Sequence, residues 1–325
     1  MKNYISNPRI AIVIAVYNGE EYIKSCLDSL KKQEYSNWVA YIVNDGSTDH
    51  TEEICKAYEC DDSRFKLLNK KNGGVVESRK YAIDRVSGCE YLTFLDADDL
   101  YIKNDLFSKI VSTINDEDAD CICYNYKIGD FRNFSKFNTM YSFSGEYDLI
   151  KNIYNRTIID GNSQFAFYPT EIVKNYFKIL KCANDDFVNK IEMMKHCKKC
   201  LYIPEVGYYY RINQASLTHK NISESDVNYY YNVKKHTDEY INKYPKIKDD
   251  AEYFKNWVLL WLIMNISKCN KEKELSFFRT IWDEFKNNWK IYLLNKRFSI
   301  KDKITYILIR LHLFRIIFNI YHKIL

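Results

Sequence analysis

"YLTFLDADDL", residues 91–100, is the stretch that decides the fold. A short apolar, β-forming run ends abruptly in Asp96, Asp98 and Asp99. Carboxylates this close raise one another's pKa unless positive charge sits among them. The flanking sequence shows what kind of sheet carries such an end.

Upstream, apolar runs and helical periods alternate. "RIAIVIAVY" (9–17) is a continuous apolar run of the kind that makes a buried strand, and "GEEYIKSCLDSLKKQ" (19–33) has apolar residues at helical spacing. "WVAYIVN" (38–44) predicts a second strand, and "STDHTEEICKAYE" (47–59) a helix opened by Ser, Thr and Asp. "FKLLN" (65–69) is a short strand, and "GVVESRKYAIDRVSG" (74–88) a helix ended by Gly88. "YLTFL" (91–95) and "DCICYNY" (120–126) continue the series. Strict alternation implies an α/β fold, a mainly parallel sheet with helices on both faces. Ligands of such sheets bind beyond the carboxyl ends of the strands. "NDGSTD" (44–49) and "DADD" (96–99) both fall there.

Residues 127–180 mix aromatic and polar residues without regular period, apart from "YPTEIVKNYF", a strand-to-helix passage. "NDDFVNKIEMMKHC" (184–197) has helical spacing, and "CLYIPEVGYYYR" (200–211) reads as extended. From about residue 222 the chain is Lys-, Asn- and Tyr-rich helix. The expected layout is a sheet domain over 1–220 and a helical region over 221–325.

Hydrophobic residues make up 46% and charged residues 28%, a globular balance, and the net charge of +5 does not point to nucleic acid. The N-terminal stretch reads as a first strand rather than a secretion signal, and no apolar run approaches the roughly 18 to 20 residues of a membrane span. Ten cysteines in that setting suggest a reducing compartment. Cys197 and Cys200 form a CxxC, but no second pair lies at zinc-ribbon spacing, so the thiols are read as inert and buried.

A lone Asp-x-Asp is most often a solvated turn. If strand geometry persists, Asp96 and Asp98 project to the same side and suit one Mg²⁺ or Mn²⁺, which favour carboxylate and phosphate oxygens. Haloacid-dehalogenase-like phosphatases also place DxD after an apolar strand. There Thr or Val usually follows the second Asp after one residue, where this chain has Leu100, and here the motif ends the fourth strand.

"IAIVIAVYNGEEYIKSCLDSL", "VNDGSTDHT", "NKKNGGVVESRKYAI" and "YLTFLDADD" occur in that order. Together they resemble the inverting family 2 glycosyltransferases with a GT-A fold, closely through residue 110 and more loosely to about 218. The resemblance implies a UDP-sugar donor, a hydroxyl of a glycan or lipid-linked oligosaccharide as acceptor, and Mn²⁺ or Mg²⁺ as cofactor. The product would be a β-linkage in capsule, O-antigen or lipooligosaccharide synthesis. Val16 and Tyr17 match the loop that receives the base, although Tyr17 also suits ordinary loop packing. Asp45 matches the base-recognising aspartate or forms an Asx turn with Gly46 and Ser47, with Asn44 where the family often has Asp. Gly73 and Gly74 let backbone approach a ligand, and Arg79 meets a phosphate or fixes the acidic loop. Asp96 would hold ribose or a metal-bound water, Asp98 the metal, while Asp99 caps or supports.

The resemblance places the acceptor's proton on an acidic pair at a helix start, here Asp185 and Asp186, with Asp186 as base. Acids are favoured at any helix N-terminus, which is the alternative role. Arg211, Ser216 and His219 are candidates for closing over the diphosphate. A non-catalytic glycan-binding relic is the remaining alternative. "IKDKITYILIRLHLFRIIFNIYHKIL" (300–325) reads as a basic amphipathic helix, expected to lie on the inner-leaflet membrane surface or to pack on protein, including a second subunit of a homodimer. That predicts a cytoplasmic protein, peripheral on the cytoplasmic face of the membrane.

Overall fold

Strand β1 (Ile10–Val16) is an unbroken apolar run in which every residue but Ala15 is buried. It pairs in parallel with β2 (Trp38–Asn44) on one side and β4 (Tyr91–Phe94) on the other. A strand covered on both faces has no polar side to show, which is why its sequence does not alternate. The computed structural model describes residues 7–129, 132–134, 139–155, 163–180, 185–212, 222–267 and 277–313. The chain divides into two compact units, Met1–Leu180 with Asn189–Ser216, and Lys181–Val188 with Leu217–Leu325.

In the first unit, helix α1 (Ile23–Lys31) leads from β1 to β2, burying Ile23, Cys26, Leu27 and Leu30. Helix α2 (Thr51–Asp61) leads to β3 (Phe65–Asn69), which pairs in parallel with β2, and α3 (Val75–Ile83) leads to β4. The start of α2 and the end of α3 differ from expectation for reasons the contacts show. Ser47 to Asp49 stay outside α2 because their side chains serve the β1 loop: Ser47 Oγ accepts from Asn18 N and Asp49 Oδ2 from Glu20 N. Helix α3 closes at Ile83, and Gly88, at φ +62°, serves the loop beyond it.

The sheet continues as β5 (Leu100–Tyr101), β6 (Cys121–Ile128), β7 (Arg132–Phe134), β8 (Tyr141–Ser144), β9 (Ala166–Pro169) and β10 (Lys199–Tyr210). Helices α4 (Leu106–Glu117), α5 (Gly145–Asn155), α6 (Thr170–Tyr176) and α7 (Asp185–Met194) lie between them in the chain. The spatial order is β3-β2-β1-β4-β9-β6-β10-β5, with β7 on β6 and β8 on β10. The expected mainly parallel sheet holds for β1 to β4, and β10 pairs with β6 in parallel, but β9 enters antiparallel to both β4 and β6. β5, β7 and β8 are antiparallel too, so the sheet is mixed. The change falls in the aromatic, irregular segment, where strand–helix alternation stops. There β9 is held by packing, with Phe167 edge-on to Phe107 at 5.4 Å, and by the Thr93 hydroxyl donating to Ala166 O at 2.9 Å.

The second unit contains α8 (Glu224–Lys243), α9 (Lys248–Ile266), α10 (Phe278–Asn287), α11 (Trp289–Leu294) and α12 (Ile300–Arg310). Its core is aromatic: Tyr292 stacks on Tyr306 at 4.6 Å and meets Phe285 at 5.2 Å, while its hydroxyl donates to Asn256 O. Ser299 and Asp302 form a capping box that starts α12. Among the described residues α12 stops at Arg310, so an uninterrupted helix over 300–325 does not form. Leu313 N donates to Leu308 O and His312 N to Ile309 O, with His312 at φ +58°. That is a Schellman ending built on His instead of Gly, and the His312 ring stacks on Trp282 at 5.1 Å. Without a glycine, the sequence pattern shows no stop. Residues 314–325 lie outside the described residues.

Candidate active site

Chain order reverses at β1: β2 lies on one side and β4 on the other, and loops from all three carboxyl ends meet beside this switch point. The β1 and β2 loops are tied together. Asp45 N donates to Val16 O at 2.8 Å, and Thr48 N donates to Asn18 Oδ1 at 2.8 Å. Asn18 takes φ +48°, a left-handed conformation Asn tolerates. Val16 is buried, whereas Tyr17 is 53% exposed with its ring available to a ligand.

The turn after β2 is closed by Asn44, not Asp45: Asn44 Oδ1 accepts from Ser47 N at 3.0 Å. Asp45 is buried and reaches across to the loop before α3. Its Oδ1 accepts from Gly73 N at 2.9 Å and Lys70 Nζ at 2.5 Å, and its Oδ2 accepts from Gly74 N at 2.7 Å. Asp45 therefore orders the glycine loop. Gly74, at φ +91°, is the N-cap of α3, a conformation a β-carbon would strain. Gly46 is constrained differently, since a β-carbon there would stand 2.9 Å from Asn72 N.

The strand geometry of β4 does not persist to Asp98. Residues 96–99 form a turn closed by Asp99 N donating to Asp96 O at 3.0 Å, so strand alternation does not govern how Asp96 and Asp98 project. Both are half-buried, whereas Asp99 is buried. Arg79, only 4% exposed, donates from Nη2 to Asp96 Oδ1 at 2.7 Å, so of its two expected roles the geometry shows the fixing of the acidic loop. Gln164 Nε2 approaches Asp96 Oδ2 at 3.4 Å. Asp99 Oδ2 accepts from the Tyr208 hydroxyl at 2.7 Å, and Asp99 Oδ1 from Arg211 N at 2.8 Å. Burial, then the charges of Asp96 and Asp98, push Asp99 up to about 8. Its role is to hold the end of β10 against the acidic turn. Arg211 also donates from Nη2 to Ser25 Oγ at 3.0 Å and lies over the Tyr22 ring at 4.9 Å. Its backbone thus holds Asp99 while its side chain is held at the start of α1.

Asp185 opens α7, with its side chain outside the described residues; Asp186 is half-buried in the first turn of the same helix. Ser216 and His219 lie outside the described residues. Sequence reading missed Lys70, Gln164, Tyr208 and Ser25. "NKKNGG" placed Lys70 three residues before Gly73, a usable signal; Gln164 lies in the irregular segment, where no pattern marks it.

The sequence profile of Glycosyl transferase family 2 matches residues 11–177, just over half the chain. The chain belongs to glycosyl transferase family 2. That membership sets it apart from the phosphatases that share a strand-then-DxD pattern. The chain is 31% identical over 220 residues to "Glycosyltransferase GlyG" of Streptococcus pneumoniae serotype 4, covering 64% of this chain and 72% of that one. It is 29% identical over 231 residues to "Glycosyltransferase GlyA" of the same organism, covering 65% of this chain but only 31% of GlyA. The crystal structure of S. aureus TarS 1-349 in complex with UDP-GlcNAc superposes with a TM-score of 0.62 at 17% identity, covering 94% of this chain and 88% of that one. The fold of this family 2 chain is GT-A, a mixed sheet flanked by helices with a helical C-terminal region.

Proposed function

We propose that this chain is an inverting glycosyltransferase that moves a hexosyl or N-acetylhexosaminyl group from a UDP-sugar to a hydroxyl of a glycan or lipid-linked oligosaccharide. The β-linked product would belong to capsule, O-antigen or lipooligosaccharide synthesis. The observation that carries this reading is the Asp96–Asp99 turn beyond β4 at the switch point, held by Arg79 and Arg211. TarS, with the same fold, is recorded with UDP-GlcNAc, which supports a UDP-linked donor.

The donor set fits a hard divalent cation: Asp96 and Asp98 offer half-buried carboxylate oxygens, and the nearby Cys26 thiol is fully buried and donates to Asp96 O at 3.6 Å. They would hold Mn²⁺ or Mg²⁺, which would offset charge on the diphosphate as the sugar departs. Arg79 fixes one oxygen of Asp96, keeping that carboxylate aimed. Tyr17, the Val16 backbone and Asp45 form the base end, with Asp45 acting chiefly through the Gly73–Gly74 loop. Gly74, Arg211 and Ser216 would approach the diphosphate. Asp186 would take the proton from the acceptor hydroxyl, and Asp185 would assist.

A panel of UDP-sugars, screened by thermal shift with and without Mn²⁺, tests the reading. One UDP-sugar is expected to raise the unfolding midpoint only with metal, as ligand linkage requires, and Asp98→Ala is expected to lose the metal-dependent part. No response to any UDP-sugar with metal present would favour the glycan-binding relic instead.

We also propose that α12 lies on an anionic membrane surface. Tyr306 and Ile309 pack inward, whereas Ile300, 78% exposed, forms an open stripe with Ile304, Ile307 and Leu311. Lys301 and Arg310 are exposed on the same helix. No described helix is long and apolar enough to cross a membrane. Replacing Ile300, Ile304 and Leu311 by Ser is expected to cut co-sedimentation with phosphatidylserine vesicles several-fold. An unchanged pellet, or loss of a dimer in solution instead, would assign the stripe to a second subunit.

A further inference from the structure

The structure draws together cysteines that look unrelated in sequence. Cys121 and Cys123 lie two apart on β6 and so share one face of the sheet. Cys200 lies opposite Cys121 in the parallel β6–β10 register. The sulfur atoms of Cys121, Cys123 and Cys200 all lie within 4.8 Å of one another, with Cys123 and Cys200 Sγ 3.9 Å apart. Cys197, the other half of the CxxC, is buried near Cys121 but falls outside that trio, its Sγ donating to Met193 O at 3.9 Å. All four are buried free thiols.

We propose that Cys121, Cys123 and Cys200 form a structural site for a thiophilic divalent cation of the zinc class, which Cys197 would complete as fourth donor by turning its thiol from Met193 O. A tetrahedral Zn–S bond of about 2.3 Å puts ligand sulfurs about 3.8 Å apart, close to the Cys123–Cys200 separation. The donor set is all sulfur, which selects zinc over the hard cations suited to Asp96 and Asp98. Charge also supports it. Lys190 on α7 is fully buried, and its ammonium acts on Cys123. A dication with four thiolates carries two net negative charges, and a buried ammonium offsets one of them. The site would clamp β6 to β10 near their amino ends. Tyr208 and Arg211, which hold Asp99, lie further along the same β10 segment. One pair is CxC on a strand, a spacing outside the CxxC pattern of zinc ribbons.

Full-length protein made without a metal-affinity tag in zinc-supplemented culture is expected to carry one zinc per chain that survives gel filtration with EDTA. Growth with cobalt in place of zinc is expected to give the intense near-ultraviolet thiolate-to-cobalt band. Cys123→Val/Cys200→Val is expected to lose both. Since that variant alters buried packing, the wild-type cobalt band is the deciding reading if it fails to fold. Wild-type protein with no zinc above the buffer blank and no cobalt band overturns the proposal, whether its thiols titrate as free or as disulfides. UDP-sugar binding is scored separately, so failure here leaves the transferase reading untouched.

Discussion

Asp186→Asn is expected to abolish sugar transfer while leaving UDP-sugar and metal binding intact. The exchange keeps the side chain's shape and removes its negative charge, and with it the capacity to take a proton. An acceptor hydroxyl has to lose its proton as it attacks the anomeric carbon, and a positioned base contributes about 10²- to 10⁴-fold. Turnover should fall by that factor at saturating donor and acceptor, with UDP affinity by calorimetry unchanged. The competing role is that of an acid serving a helix N-terminus, since Asp186 lies in the first turn of α7. In that case the same variant would lose only about 0.3–1 kcal/mol of stability, the usual worth of a charge near a helix end. Turnover near wild type would remove Asp186 from the base assignment. Asp185→Asn, measured alongside, tells whether the neighbouring acid shares the proton.

The parallel half of the sheet was legible because its cause is local. Strands buried on both faces read as unbroken apolar runs, and β1 and β2 fall where those runs predict them. The antiparallel β9 was not legible as such: "AFYP" carries no sign of which neighbours it will find, and its place comes from Phe167 and Thr93 contacts made across the sheet. The candidate site divides in the same way. The acids and glycines at strand ends are marked by position, but their partners are set by tertiary approach. Of the two roles expected of Asp45, base recognition or an Asx turn, the turn falls to Asn44, and Asp45 reaches Lys70, Gly73 and Gly74. Tyr208 reaches Asp99 from 109 residues away, which no spacing rule marks.

Arg79→Met is expected to destabilise the protein more than any change at the exposed edge of the site, and Asp96→Asn is expected to undo much of that loss. Arg79 is 4% exposed and Asp96 27%, so the pair is shielded by protein on the arginine side and reached by water on the other. Removing one member of a buried pair costs about 3–5 kcal/mol, because the remaining charge keeps its desolvation without its partner. Here the partial exposure of Asp96 puts the cost at the low end, about 3 kcal/mol. The remaining carboxylate would also face Asp98 and Asp99, whose like charges already act on one another. For a 325-residue protein a loss of about 3 kcal/mol lowers the unfolding midpoint by roughly 4–5 °C. In Arg79→Met/Asp96→Asn the orphaned charge is gone, so the midpoint should recover by more than half while metal-dependent UDP binding stays low. Equal midpoints for the single and double variants would mean that Arg79 acts by packing over Phe94, 5.5 Å from its guanidinium, and not by holding Asp96.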